Sequence, residues 1–474
     1  MRNTARFLFS RPGILVWMIL GGLAFIFQGT ARGEDPKVVD STLREERILL
    51  SLPEIIQMAI SKSPEVGEIQ SEIAGTRSDL DQVKAAYYPQ LESTALFGPV
   101  EDAKEPLIVN GRITDPSPSL SASSIGVFGR LDLTATQPLY TFGKLSNRKE
   151  AASRGVRAKE FQVAEKKGQI VLRVKELYYG LILALGGLAT ANEAGDFFDE
   201  AGGRMKRLLE LGSSNVKESD LYQVEAYRAD ALRFRAEAEK GVKVTYFALK
   251  SLIQLPAHVE FEPAEKTLPT KREDLAALES YLKSAVDQRP EFRQLAEALA
   301  AQESQVKAAT SDRYPSFFAA LQGSLAGAPG RETLYNRYIP DEFNHAYVGV
   351  VAGVRWNFDF GIGRAKVDKM RAEYDKLVHT KALAEMNIPI QVAKSYQEHL
   401  EWKAAVESYQ KAATASRKWI LAAMADFDMG VGTAYDMLNA IDKYGHNQGR
   451  YLEALFRYNL SWGELEYAVG MKTW

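Results

Sequence analysis

The chain contains no cysteine. Disulfides, thiolate metal sites and a thiol-borne lipid anchor are therefore excluded. A dominant charge of one sign is missing as well. Its 59 Lys and Arg stand against 61 Asp and Glu, a formal net charge of -2 at pH 7. A protein that grips nucleic acid by its phosphates needs a basic excess, so a nucleic-acid partner is not expected. Histidine is scarce: His258, His345, His379, His399 and His446 are too scattered to pair at metal-ligand spacing on one helical turn. The motifs of catalysis and nucleotide binding are wanting too. No GxxxxGK[ST] phosphate loop and no GxSxG elbow occur, and Gly361-Ile362-Gly363-Arg364 lacks the third glycine of a dinucleotide fingerprint. The sequence reads as a non-enzyme with no catalytic residues, no cofactor and no metal.

Long apolar runs are also absent, apart from one at the start. Arg2, Arg6 and Arg11 precede Gly13 to Phe27, GILVWMILGGLAFIF, and Ala31-Arg32-Gly33 follows as a small-x-small cleavage site. That pattern is a signal peptide over residues 1–33, whose removal takes four arginines and no acid and leaves the mature chain more acidic. The next longest run, LYYGLILALGGLATA from Leu177 to Ala191, falls short of the roughly 20 residues of a membrane helix and carries two adjacent glycines. A membrane crossing by the mature chain would have to use strands.

What the sequence does have is itself, twice. Shifted by 226 residues, Pro64-Glu65 falls on Pro290-Glu291, and Tyr88-Pro89 on Tyr314-Pro315, without a gap. Between them Val66, Ile69, Ile73, Thr76, Leu80 and Val83 keep a 3-4-3-4 spacing, which returns as Phe292, Leu295, Leu299, Gln302, Val306 and Ala309. That is a heptad seam in both halves. Upstream, Leu52, Ile55, Ala59 and Ile60 match Leu278, Tyr281, Ala285 and Val286. The chain divides into a first repeat at 34–256, a linker at 257–277 and a second repeat at 278–474.

Each repeat predicts the same elements. Ser51 and Glu54 form a capping box ahead of a short helix, and Ser63-Pro64 opens the seam helix. The tyrosine-proline pair stops that helix, because a proline ring clashes with the preceding turn and its nitrogen donates no hydrogen bond. Strands follow. Val127, Leu131 and Leu133 alternate with Phe128, Arg130, Asp132 and Thr134; later Val348, Val350, Val354 and Trp356 alternate with Gly349, Arg355 and Asn357. A period of two with one apolar face is a half-covered strand. Val127, Leu131, Leu133, Val350, Val354 and Trp356 are expected to face lipid, and Arg130, Asp132, Arg355 and Asn357 a lumen. Pro99 to Ser124 and Ser324 to His345 read as long loops. Beyond Gly143 the pattern is helical to Leu211, about 100 Å at about 1.5 Å per residue, and Pro389 is expected to kink the matching helix. Two hairpins cannot close a barrel, since the smallest membrane barrels have about eight strands. The strands either pack on the chain's own helices or are pooled between copies, and spacing does not choose the number.

Several stretches in fixed order resemble the TolC-like outer-membrane efflux proteins over nearly the whole mature length. They are SLPEIIQMAISKSPEV, QPLYTFGKL, GSSNVKESDLYQVEA, GVGTAYDMLNAIDKY and LSWGELEYAVG. The resemblance implies a mainly α protein with membrane β: a long coiled-coil-like helical tunnel in the periplasm, and four strands per protomer pooled into a trimeric twelve-stranded barrel in the outer membrane. It implies partners, namely a homotrimer, outer-membrane lipid, a periplasmic adaptor protein and an inner-membrane pump. It implies a passive exit duct for efflux or type I secretion. By the same resemblance Asp436 constricts the channel, with Asn439 where some members carry a second aspartate and Phe427 where some carry a tyrosine. Asp436 lies six positions after Gly430, but in the first repeat Glu218 is six after Gly212 and Asp220 eight, so either acid could be the counterpart. Gly212, Gly430, Gly432 and Thr433 would form the tips that meet the adaptor. The alternative is a soluble periplasmic coiled-coil interaction protein.

Overall fold

The computed structural model describes residues 46–102, 107–110, 112–114, 125–213, 215–270, 274–335 and 338–471; the expected signal peptide lies outside them. β1 (Glu46–Leu50) leads into α1 (Leu52–Lys62) and α2 (Pro64–Ala85). Then come β2 (Gln90–Glu101), a short hairpin of β3 (Leu107–Val109) and β4 (Arg112–Thr114), and β5 (Ile125–Tyr140). α3 (Lys144–Glu210) and α4 (Glu218–Leu252) follow. After β6 (Val259–Pro263) the order returns as α5 (Leu278–Gln288), α6 (Pro290–Ser311), β7 (Ser316–Gly327), β8 (His345–Arg355), α7 (Ile362–Asp428) and α8 (Ala434–Val469).

Local chemistry accounts for most boundaries. The Ser51 amide and hydroxyl both donate to the Glu54 carboxylate, at 2.8 and 2.7 Å, which starts α1. Ser63 Oγ accepts from the Val66 amide at 3.3 Å, with Pro64 in the first turn of α2. The second repeat has Arg289 at that position, and its guanidinium does something else. It is buried, donating to the Ala468 carbonyl at 3.0 Å and to Glu291 at 2.9 Å, so it fastens the end of α8 to the α5–α6 junction.

Helices α3 and α7 have 67 residues each, bounded by Gly143 and Gly212, and by Gly361 and Gly430, all with positive φ. Pro389 stands inside α7, which continues past it to Asp428. α4 and α8, of 35 and 36 residues, return only about half that length, and the α1–α2 and α5–α6 pairs occupy the rest. The strand-proximal half of α3 accordingly packs on α2 and α6, through Arg77–Glu160 and Arg154–Glu297 among others, and its far half on α4 and α8. One core sits at the far end, around Met205, Val224, Ile420, Met437 and Ile441. Another lies midway, around Ile55, Val174, Tyr178, Leu249 and Phe261.

Two features escape the sequence reading. β1 pairs in parallel with β6, Glu46 opposite Val259 through Leu50 opposite Pro263, so the segment read as a linker supplies a strand. Lys175 and Glu466 form a buried ion pair between α3 and α8, and the Trp462 indole also donates to Glu466, at 2.9 Å. The four long strands form one antiparallel sheet in the order β2-β5-β7-β8. β2 extends to Glu101 and β7 to Gly327, so each eats into a segment read as loop, because the alternation persists there.

Ile441 is fully buried on α8 in the far-end core. Ile441→Ala is expected to cost about 2–5 kcal/mol of stability there. Protease susceptibility of the α7–α8 turn should rise accordingly, whereas the exposed Leu421→Ala should leave it unchanged.

Candidate channel surfaces

The sheet has two unlike faces. On one, Ala95, Leu131, Leu325 and Ala346 lie in register across all four strands, as do Ser93, Leu133, Gly323 and Val348, and Leu91, Ala135, Leu321 and Val350. Val127 and Val354 extend this face, and Leu91, Leu131, Leu133, Leu321, Leu325, Val348 and Val350 are all exposed on it. Along these rows the side chains are apolar or small, and the face is ended by Gln137, opposite Ala319, and by Glu101, opposite Ile125. The other face carries Thr94, Asp132, Ser324 and Tyr347 in one row. Arg130 pairs with Asp132 at 2.8 Å, Ser324 Oγ lies 2.7 Å from Asp132 Oδ1, and His345 Nε2 lies 2.8 Å from Ser324 Oγ. Five of the six residues expected toward lipid, Val127, Leu131, Leu133, Val350 and Val354, thus share one face, and the sixth does not. β8 ends at Arg355, so Trp356 and Asn357 lie past the strand.

Trp356 belongs instead to a rim. Its indole donates to the Arg313 carbonyl at 3.1 Å, and its ring packs 4.4 Å from that of Phe358. Phe142 stacks on Tyr314 at 5.4 Å and lies 4.8 Å from Tyr140. These aromatics, with Tyr88, are exposed at the junction of strands and helices. Such a belt marks the boundary between an apolar medium and water.

At the opposite end of α3 and α7 the two turns share one backbone solution. Gly212 (φ 74) and Gly430 (φ 79) take the left-handed conformation that a side chain disfavours. The Ser213 amide reaches the Leu208 carbonyl, and the Val431 amide that of Asp426, both at 3.0 Å, closing a Schellman motif each time. The next helices begin alike too. Asp436 accepts from the Thr433 hydroxyl at 2.6 Å while its amide donates back at 3.1 Å, and Asp220 accepts from the Lys217 amide at 2.9 Å. Both aspartates are third residues of their helices. Asp220, and not Glu218, is therefore the counterpart of Asp436, and the two extra residues of the first turn precede its N-cap. Asp436 and Glu218 are exposed; Asp220 and Asn439 are half-buried.

Phe427 requires a correction. It is 2% exposed, inside the far-end core, because its position on α7 turns it toward α3 and α8. A buried phenyl ring presents nothing to a channel. Gly432 also has a reason of its own: a Cβ there would come within 3.0 Å of Asp426 Cβ and the Phe427 nitrogen. Thr433 spends its hydroxyl on the cap. The most exposed apolar side chains at the tips are Leu211 and Val431, 81% and 76% exposed, with Met429 and Tyr435 beside Val431.

Ties between the helix pairs were not foreseen. Arg204 of α3 pairs with Asp428 at the end of α7, and Asn215 donates to the Gly430 carbonyl at 3.3 Å. Higher up, Glu193 of α3 accepts from Arg417 at 2.8 Å and from the Tyr444 hydroxyl at 2.5 Å. Burial, and then that bond to a carboxylate, pushes the Tyr444 phenol up to about 12, so it stays a donor across the physiological range. Only the matched spacing of acids and bases on distant helices would have hinted at these.

Among the described residues no cluster of metal-binding side chains occurs and no helix is long and apolar enough to cross a membrane. Residues 281–471 match the family described as outer membrane efflux protein. No curated protein sequence matches the chain. The fold is that of solved outer-membrane channels. The MtrE channel of Neisseria gonorrhoeae in its open state has a TM-score of 0.71 at 18% identity, over 88% of this chain and 88% of that one. The CmeC channel of Campylobacter jejuni has 0.70 at 14%, over 88% and 85%, and the VceC protein of Vibrio cholerae 0.69 at 15%, over 88% and 96%.

An arginine on the lipid face of a barrel costs about 2–4 kcal/mol at mid-membrane. Leu131, between Ala95 and Leu325, and Thr134, between Glu92 and Gln322, sit on opposite faces. Leu131→Arg should lower the amount of protein assembled in the outer membrane well below that of Thr134→Arg. Equal yields would refute this facing.

Proposed function

We propose, for a chain that resembles the TolC-like outer-membrane efflux proteins, that three copies form a channel-tunnel through the outer membrane, a passive exit duct for an inner-membrane pump. The single observation that carries this reading is the sheet: one face predominantly apolar and exposed, and both edges, β2 and β8, unpaired among the described residues. β2 and β8 run in opposite directions, so β8 of one copy can pair antiparallel with β2 of the next. Three four-stranded sheets make a barrel of twelve strands. The helices continue beneath it into the periplasm for about 100 Å. The exposed apolar face weighs against a soluble coiled-coil protein, which would have no use for it. Crosslinking of the detergent-solubilised protein should yield three copies of the chain, and a ceiling at one copy would end the proposal.

The turns at the far end then stand where an adaptor can reach them and where the tunnel closes. Adaptor docking rests on Leu211 and Val431, the most exposed apolar side chains there, with Gly212, Gly430, Gly432 and Thr433 holding the turns that present them. Leu211→Asp with Val431→Asp should abolish export and leave trimer assembly intact; unimpaired export would argue against docking at the tips.

Asp436 is both a cap and, by three-fold symmetry, one of three carboxylates around an axis. Crowded carboxylates attract cations and repel anions. Asp220, capping the paired helix, widens the ring, and Asn439 adds no charge. Planar-bilayer recordings in a salt gradient should show cation selectivity that Asp436→Asn reduces. A reversal potential identical to the parent's would leave Asp436 a cap only.

A further inference from the structure

Just beneath the aromatic rim lies a basic groove that the duct reading leaves unused. Thr310, Arg313, Arg364, Val367, Asp368 and Arg371, from the end of α6 and the first turns of α7, enclose about 300 Å³. Three guanidinium groups there meet one carboxylate. Asp368 engages Arg364 alone, at 3.8 Å, which is long for an ion pair. Among the described residues Arg313 and Arg371 have no ion-pair partner. Nearby acids are committed elsewhere: Asp312 to Lys144 at 2.8 Å, Lys366 at 2.9 Å and Arg148 at 3.3 Å, and Asp359 to the Gly363 amide at 2.7 Å. The groove is thus left electropositive by its own surroundings.

Its neighbours supply a second observation. Phe358, Phe360 and Ile362 immediately precede the arginines of α7 and are exposed, Phe360 completely. The Trp356 indole, bonded to the Arg313 carbonyl at 3.1 Å, fixes the groove at the level of the belt. Exposed apolar side chains leading within a few residues to unpaired guanidiniums match an amphiphile with an anionic head. Guanidinium forks suit phosphate oxygens in particular.

We propose that this groove binds the headgroup of an anionic glycerophospholipid of the periplasmic leaflet. Arg313 and Arg371 hold its phosphate, Arg364 flanks them, and an acyl chain lies against Phe358, Phe360 and Ile362. The site rests on the outer-membrane reading above. Basic pockets at the edge of a bilayer recognise lipid headgroups in the same manner. One bound lipid per protomer would fix the depth at which strands give way to helices.

The test uses the full mature protein as purified trimers, titrated with phosphatidylglycerol or phosphatidylcholine and read by native mass spectrometry. Wild type should retain phosphatidylglycerol preferentially. Arg313→Gln with Arg371→Gln should weaken that binding by about thirtyfold. Lys411→Gln with Lys418→Gln, far down α7, removes as much charge and should change nothing. Equal retention of both lipids by wild type, or undiminished binding by the arginine variant, overturns the site. So does displacement of the lipid by inorganic phosphate at millimolar concentration, which would mark a free-anion site. Flotation with phosphatidylcholine vesicles separates the two levels: a wild type that floats without lipid preference loses only this site. One that does not float loses the membrane reading along with it.

Discussion

A strand edge placed in lipid has no water to turn to. Each unpaired amide there costs several kcal/mol, and on the proposed membrane reading this constraint organises everything above and below the sheet. The order β2-β5-β7-β8 brings the hairpins of the two repeats together and leaves β2 and β8 at the margins. Of the charges on these edge strands, Glu92 on β2 and Arg355 on β8 lie on the polar face and leave the apolar face of both edges open. The apolar face, unbroken across four strands, makes the same demand by another route. A chain so built is incomplete alone, and its polar face, with Arg130, Asp132, Ser324 and His345 already bonded to one another, is ready to be an interior.

The helices answer a different requirement, that of carrying the sheet's geometry over a distance. Two continuous helices of 67 residues set the length, and shorter pieces fill in around them. Where the pieces meet, the structure is fastened most heavily. The β1–β6 strip, the buried Lys175–Glu466 pair and the Arg289 clamp on α8 all lie at or near such seams. A buried pair is poor insurance for stability, since desolvation offsets most of its attraction, but it fixes register between helices that could otherwise slide. At the far end the ties are exposed and fewer, chiefly Arg204–Asp428 and Asn215 to Gly430. Exposed pairs contribute little each, so that end is the easier one to rearrange.

How much of this was legible in the sequence follows from how local each signal is. The capping box at Ser51, the proline stops, the glycine turns and the alternation in β5 and β8 are encoded within a few residues, and each appears where expected, except that β8 stops at Arg355, short of Trp356 and Asn357. Tertiary facts were not encoded that way. The β1–β6 pairing joins residues more than 200 apart with no pattern beyond short alternation. Phe427 was assigned by analogy of position, and only packing reveals that this face of α7 is turned inward. The rivalry between Glu218 and Asp220 could not be resolved by counting from a glycine, because the insertion lies between the glycine and the N-cap; hydrogen bonds to the cap resolve it at once.

The repeated tyrosine-proline pair shows why the two halves kept some residues and lost others. Tyr88-Pro89 and Tyr314-Pro315 each end a helix and also place an aromatic ring at the level where strands begin, so one dipeptide serves both the backbone and the boundary. A position under two such constraints tolerates little change. The N-caps are under one constraint, and they have drifted: Ser63 against Arg289, Thr433 against Lys217. Even there the geometry survives, since Arg289 found other work at the end of α8 and Asp220 caps Lys217 through the backbone amide alone. What the two halves share is therefore the sheet, its rim and the turns, the parts where, on the proposed reading, lipid, water and neighbouring copies would each impose a condition.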